Sequence, residues 1–205
     1  MLRNVLLIAA AGLTLNACGG KAEERNQNVT GLGNGSVSTA VEDTAAQAVG
    51  AATAPLANSV DAFVTNAAIS DMYEIEAGKI ASEKGKSADV KAFGKMMVKD
   101  HTTTSSKLKA TLASAKVNVT PPTELDARRR GMIENLKTAS AADFDKVYLD
   151  QQTAAHQEAL TLMKSYAEDG ENAPLKKLAA ETAPKIQQHY DHVRQLDKTG
   201  ADATK

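Results

Sequence analysis

Apolar residues recur at helical spacing through most of residues 59–198, and this pattern limits the possible folds more than any other feature. A helix turns about 100° per residue, so residues three or four apart share one face. Two such faces are long, and each includes a histidine. The first comprises Val90, Phe93, Met97, His101, Leu108 and Leu112, and the second comprises Leu175, Leu178, Ile186, His189, Val193 and Leu196. Apolar faces of this length need other helices to cover them.

Capping residues and helix breakers divide the region into four long helices and a short one. Ser59 and Ser87 are expected to cap the first two, which end near residues 85 and 116. Pro121 and Pro122 break the chain before a short amphipathic helix over residues 125–136. The last two helices are predicted to open at Ser140 with Asp143 and at Asn172 with Pro174, and to meet near Gly170.

The fold class that these signals indicate is all-α. The chain has no Trp, its aromatic content is 3%, and it has no alternating β-branched runs bounded by turns. We therefore predict a four-helix bundle of the ferritin-like type, with a short extra helix in the crossover between helices 2 and 3. The sequence does not decide whether this crossover, Val117 to Ala139, runs the length of the bundle or caps one end.

Three of the four histidines lie at matching heights in this predicted bundle. His101 follows the first tight turn by fifteen residues, and His156 and His189 flank the second turn by fifteen and eighteen. At 1.5 Å per residue these positions lie about 22, 22 and 27 Å from their ends of the bundle. Glu74, about 18 Å from its end, also points inward by its helical spacing. Each long helix thus offers one polar group near mid-height.

Imidazoles that converge inside a helical bundle are typical metal ligands. We identify His101, His156 and His189 as candidate ligands, with Glu74 as a further candidate, for copper, zinc or iron. Asp100 and Tyr148 are candidates for hydrogen bonds that orient an imidazole. Shared ligation requires the imidazole nitrogens to come within about 5 Å of one another. The alternative is a structural protein, without metal, whose buried histidines form hydrogen bonds to separate partners.

Three segments resemble the characteristic blocks of a bacterial ferritin-like family that is catalogued as a domain of unknown function. They are FGKMMVKDHTTTSSKL, ADFDKVYLDQQTAAHQEAL and LKKLAAETAPKIQQH, and the similarity extends over about Val60 to Leu196. The matching residues are Glu74, Asp100, His101, Phe144, Asp145, Tyr148, His156 and His189. The resemblance implies an exported four-helix domain, often behind a lipoprotein or secretory signal, and it supplies no established reaction.

The sequence departs from the metal-binding pattern of true ferritins. Their di-iron sites need bridging carboxylates and a Glu-x-x-His turn on two helices. The residues three positions before the histidines are Val98, Thr153 and Ile186. Ferroxidase activity is therefore not expected, and the chain also has no nucleophile motif and no phosphate-binding loop. An enzymatic function has no direct support in the sequence.

The first twenty residues predict export and a lipid anchor. Arg3 precedes an apolar run from Val5 to Leu15, which is the length of a secretory signal core. The run ends in Leu-Asn-Ala-Cys-Gly, which resembles the lipobox of bacterial lipoproteins, although Asn16 stands where a smaller or aliphatic residue is more usual. Cys18 is the only cysteine, so it has no intramolecular disulfide partner. It is the predicted lipidation site.

These signals give a complete domain plan. We predict a signal peptide at 1–17, a flexible tether at 18–57, the helical domain at 58–198 and a disordered tail at 199–205. The mature protein is expected in the periplasm, held by lipidated Cys18 in the outer or inner membrane. The net charge of −1 and its interspersed signs give no basic surface for nucleic acid. A protein partner cannot be named from the sequence.

Overall fold

Five α-helices and no strands are present in residues 58–202, the part of the chain that the computed structural model describes. They are α1 (Val60–Lys84), α2 (Ala88–Ser114), α3 (Ala127–Thr138), α4 (Phe144–Asp169) and α5 (Ala173–Asp202). The prediction of an all-helical domain with four long helices and a short one is confirmed. The last helix extends four residues beyond the predicted domain end at Lys198. Cys18, the signal segment and the tether lie outside the described residues.

Three of the predicted helix starts are confirmed by their capping hydrogen bonds. Ser59 accepts a hydrogen bond from the backbone N–H of Ala62 at 3.3 Å, and Ser87 accepts one from Val90 at 3.0 Å. The side chain of Asn172 accepts from the N–H of Leu175 at 3.1 Å. These oxygens satisfy N–H groups that have no partner within the first turn of a helix.

The predicted start of the third long helix is displaced. Its first residue is Phe144, and Asp143 makes no capping hydrogen bond through its side chain. The Ser140 hydroxyl instead donates to the Asp143 carboxylate at 2.6 Å and accepts from the Asp143 N–H at 3.2 Å. The two side chains that were expected to cap the helix therefore close the turn before it.

The four long helices pack as two pairs. α1 packs along α2, and α4 packs along α5, each pair being joined by a short turn. The pairs meet through α1 against α4 and α2 against α5, while α3 lies against α1 and α4. All four long helices therefore contribute side chains to one interior.

Hydrogen bonds at the two short turns place the ends of the helices. The Asp145 carboxylate, in the first turn of α4, accepts from the N–H groups of Lys86 and Ser87 at 2.7 and 2.8 Å. The N–H of Glu171, between α4 and α5, donates to the carbonyl of Asn58 at 3.3 Å. The start of α4 thus lies beside the α1–α2 turn, and the α4–α5 turn lies beside the start of α1.

The core consists of two apolar clusters, one toward each end of the long helices. One includes Phe63 stacked on Tyr166, with ring centroids 3.9 Å apart. The other includes Phe93 and Tyr148. Buried polar residues fall between the two clusters on all four long helices: Asp71, Glu74, His101, Gln152, His156 and His189. Within residues 58–202, no helix is long and apolar enough to span a membrane.

Candidate metal site

Three buried histidines meet between the two apolar clusters. His101 comes from α2, His156 from α4 and His189 from α5, and each is at most 2% exposed. Their ring centroids are 5.5 to 5.8 Å apart. One nitrogen of each ring lies within 4.8 Å of a nitrogen of both others. The convergence to about 5 Å that shared ligation requires is therefore present.

His101 is oriented by a carboxylate from the neighbouring helix. Its Nδ1 lies 2.8 Å from Oδ1 of Asp71, which is itself buried. Asp71 also accepts hydrogen bonds from the hydroxyls of Thr104 and Ser105, at 2.7 and 3.2 Å. A carboxylate that is held by several donors accepts from the Nδ1–H of the imidazole. Nε2 of His101 has no hydrogen-bond partner among the described residues.

The other two histidines repeat this arrangement with different acceptors. Nδ1 of His156 lies 2.9 Å from the backbone carbonyl of Gln152, and a carbonyl can only accept, so Nδ1 carries the hydrogen. Nε2 of His189 lies 2.9 Å from Oδ2 of Asp100, which Lys185 approaches to 3.5 Å. The remaining nitrogens, Nε2 of His156 and Nδ1 of His189, find no partner in the described part of the chain. Each imidazole thus has one nitrogen held and one free.

This pattern is the one that metal-binding histidines usually show. A ligating imidazole commonly donates its second N–H to a carboxylate or a backbone carbonyl, which fixes the tautomer and the orientation of the ring. Nitrogens that share one metal at about 2 Å lie about 3.4 Å from one another. From a spacing of up to 4.8 Å, each ring needs to move inward by about 1 Å to bind the same ion. The arrangement is therefore suited to holding one metal ion through three nitrogens.

Glu74 is buried beside this group but is not one of its converging members. Its side chain is 2% exposed, and Oε1 lies 3.9 Å from Nδ1 of His156. That nitrogen is the one already held by the Gln152 carbonyl. Oε2 of Glu74 has no hydrogen-bond partner in residues 58–202. The assignment of Glu74 as a metal ligand therefore stays a prediction.

The two candidate orienting residues differ in what they contact. Asp100 reaches an imidazole, that of His189 on the facing helix. Tyr148 is fully buried against Phe93 and Phe144, and its hydroxyl has no hydrogen-bond partner within the described range. The remaining histidine, His192, is exposed and packs edge-on against Phe93 at 5.3 Å. It lies outside the group of three.

Sequence reasoning missed Asp71 and the Gln152 carbonyl, which hold two of the three rings. Asp71 precedes Glu74 by three residues, so it shares that face of α1, and this spacing was the signal that could have identified it. The Gln152 contact joins a side chain to the carbonyl four residues earlier in the same helix. Side-chain spacing carries no indication of such a contact.

Burial and neighbouring charges lower the pKa values of His156 and His189 and raise those of His101 and Glu74. Burial lowers the pKa of His156 to about 3 and that of His189 to about 4, and the charge of His101 lowers both further. Burial also acts to lower the pKa of His101, but the hydrogen bond with Asp71 and the charge of Glu74 outweigh it and raise that pKa. Burial raises the pKa of Glu74 to about 7. His156 and His189 are therefore neutral, with lone pairs available to a metal, at neutral pH.

These shifts predict that the metal-free protein loses stability in mild acid. Below pH 6.5 the unfolded chain protonates His156 and His189, while the folded protein keeps them neutral until about pH 4 or lower. Glu74 acts in the opposite direction between pH 7 and about 4.5, because its folded form binds the proton first, and it offsets one histidine. The free energy of unfolding of the metal-free protein should thus fall by about 1 kcal/mol when the pH is lowered from 6.5 to 5.5.

Urea unfolding of chelator-treated protein at these two pH values measures the effect. The raised pKa of His101 acts in the same direction as that of Glu74, because the folded chain binds this proton before the unfolded chain does, and it makes the loss smaller. The variant Glu74→Gln removes the opposing contribution and is expected to double the loss, to about 2 kcal/mol. Equal stability of this variant at the two pH values would contradict the assigned protonation states.

The fold and the site together define the class of this protein: an all-helical bundle with a buried cluster of three histidines. The chain belongs to the family described as Domain of unknown function (DUF4142), which it matches over residues 45–196. The expected membership of a domain-of-unknown-function family is thereby confirmed. Comparisons with curated proteins and with solved structures give no match. Because the family description contains no activity, the function has to be argued from the site itself.

Proposed function

We propose that this protein binds one transition-metal ion, copper, zinc or iron, through His101, His156 and His189. One observation carries the proposal: each imidazole uses one nitrogen for a hydrogen bond and leaves the other unpartnered inside the bundle, at a common level. Imidazole nitrogen is a good ligand for all three metals. The acceptors Asp71, Asp100 and the Gln152 carbonyl fix the rings with their free nitrogens available.

The same observation argues against a purely structural role for the histidines. Structural polar groups in a core are normally satisfied by hydrogen bonds, because a buried donor or acceptor without a partner costs about 1–3 kcal/mol. Three imidazole nitrogens without partners in the described residues would carry that cost three times at one place. A bound metal ion converts all three lone pairs into ligand bonds and removes the cost.

Metal analysis of the purified, untagged protein tests this function. We expect one metal ion per chain in the wild type and none in the triple variant His101→Ala, His156→Ala, His189→Ala. His192→Ala is the matched control, because this exposed histidine lies one helical turn from His189 and outside the group. A folded wild type that takes up no copper, zinc or iron from solution would leave only the structural alternative.

We further propose that the bundle is ferritin-like in its connectivity. The contacts of Asp145 with Lys86 and Ser87 put the start of α4 beside the α1–α2 turn. Because α2 is 27 residues long and ends at Ser114, far from this turn, the connection that carries α3 must return along the bundle. Such a long crossover occurs in ferritin-like folds, whereas simple up-and-down bundles have only short loops. The bridging carboxylates of di-iron sites are not part of this proposal.

We also propose that the protein is exported and anchored to the outer or inner membrane through lipidated Cys18. The support comes from the sequence: a signal-like apolar run, a lipobox-like ending and a single cysteine. Metabolic labelling with a fatty acid in a bacterial host is expected to mark the wild type and not Cys18→Ala. A wild-type chain that remains unlabelled while a known lipoprotein in the same cells is marked would disprove the anchor.

A further inference from the structure

The outer side of α2 carries a row of lysines. The lysine row consists of Lys91, Lys95, Lys99, Lys107 and Lys109, of which Lys91 is partly buried and the others are exposed. At 100° and 1.5 Å per residue, all of them lie within about 80° of Lys99 around the helix, and the row is about 27 Å long. The buried residues of α2, His101 among them, lie on the opposite side of the helix.

No carboxylate neutralises the lysine row. The acidic residues of α2 are Asp89, in its first turn, and Asp100, which contacts His189. Within residues 58–202, none of the ammonium groups in the row forms an ion pair or a hydrogen bond. Lysines elsewhere do pair, as Lys146 does with Asp150 at 2.7 Å. Charges of both signs are mixed along the chain as a whole, but the outer side of α2 is positive.

The residues around the lysine row indicate the kind of partner. α2 contains no arginine, and its one aromatic residue, Phe93, is buried. Protein interfaces usually depend on aromatic or arginine side chains, and single-stranded nucleic acids stack on aromatic ones. The exposed residues among the lysines are instead small: Ala88, Ala92, Thr102, Thr103, Ser106 and Ala110. Lysines on a surface of small residues are suited to an anionic lipid bilayer, where each lysine strengthens binding about fivefold.

We infer that the lysine row of α2 binds the headgroups of anionic phospholipids, so that α2 lies along the membrane surface. The choice of a lipid as the partner rests on the proposed anchor at Cys18, which would hold the domain within reach of a bilayer. Because the net charge of the chain is −1, an anionic surface does not attract the chain as a whole, and the attraction has to come from one face. The long lysine side chains can reach the headgroups while the helix stays outside the acyl chains.

Co-sedimentation with vesicles tests the inference. The protein is the chain from residue 18 onward with Cys18→Ser, which keeps the whole helical domain and cannot be lipidated. Vesicles of phosphatidylcholine are compared with vesicles that also contain phosphatidylglycerol. We expect binding to the anionic vesicles alone, and its loss at high ionic strength, because salt screens the attraction. The triple variant Lys95→Gln, Lys99→Gln, Lys107→Gln should lower the partition coefficient at least tenfold.

A second triple variant, Lys146→Gln, Lys164→Gln, Lys177→Gln, is the matched control. It removes the same charge from exposed positions on α4 and α5 and should bind as the unsubstituted chain does. Circular dichroism of both variants checks that they are folded. Equal losses of binding in the two variants would overturn the inference, as would an unsubstituted chain that binds neither kind of vesicle or both equally. Fatty-acid labelling of Cys18 tests the anchor separately, so failure of the anchor and failure of the lysine row are distinguishable.

Discussion

Zinc at a free concentration a thousand times its dissociation constant is expected to raise the free energy of unfolding by about 4 kcal/mol. The physical reason is that only the folded chain presents the site, since the three histidines are 33 to 88 positions apart in the sequence. An ion that binds the folded state alone shifts the unfolding equilibrium by mass action. Urea unfolding followed by circular dichroism, with zinc and with a chelator, measures the difference.

Two single variants make this measurement specific. His101→Ala removes one of the three ligands and should abolish most of the response to zinc, and a cooperative urea transition of the metal-free variant shows that it is folded. His192→Ala should respond as the wild type does, because its imidazole lies on the surface against Phe93. Stabilisation that persists in His101→Ala would mean that zinc acts elsewhere on the protein. Copper and iron can be compared in the same assay.

The convergence of the histidines could be predicted because it depends on two quantities that the sequence contains. The rise of a helix gives the height of a residue from its distance to a turn. The turns themselves are marked by Gly85 with Ser87 and by Gly170 with Asn172. Apolar periodicity then gives the inward face of each helix. The height of each histidine and the inward face of its helix were together enough to predict that the three imidazole rings converge. Which helices are neighbours did not need to be known.

Asp100 was predicted as a hydrogen-bond partner of an imidazole, but the partners of the other two rings were not, because they depend on the rotation of each helix within that level. Asp71 and Glu74 are three residues and about 60° apart on α1, yet Asp71 contacts His101 while Glu74 lies nearest His156. Asp100 precedes His101 in the sequence but contacts His189 on the facing helix. Tyr148, at the correct spacing on α4, ends in the apolar cluster with Phe93. The packing of neighbouring helices determines which of these side chains contacts which ring.

The close approach of α1 and α2 is a second feature that periodicity does not reveal. A Cβ atom at Gly94 would lie 2.7 Å from the carbonyl oxygen of Gly78, and one at Gly78 would lie 2.6 Å from that of Gly94. Both glycines are helical, where glycine costs about 1 kcal/mol relative to alanine. Their presence is explained by the contact, since any side chain would push the two backbones apart.

Gly94→Ala is accordingly expected to lower the free energy of unfolding by about 2 kcal/mol, because the strain of inserting a methyl group exceeds its gain in helix propensity. Gly131→Ala is the matched control: this glycine also lies within a helix, but a Cβ there would have no neighbour within 4 Å. It should stabilise the protein by up to about 1 kcal/mol. Urea unfolding of both variants gives the comparison, and a Gly94→Ala protein as stable as Gly131→Ala would refute the close contact between α1 and α2.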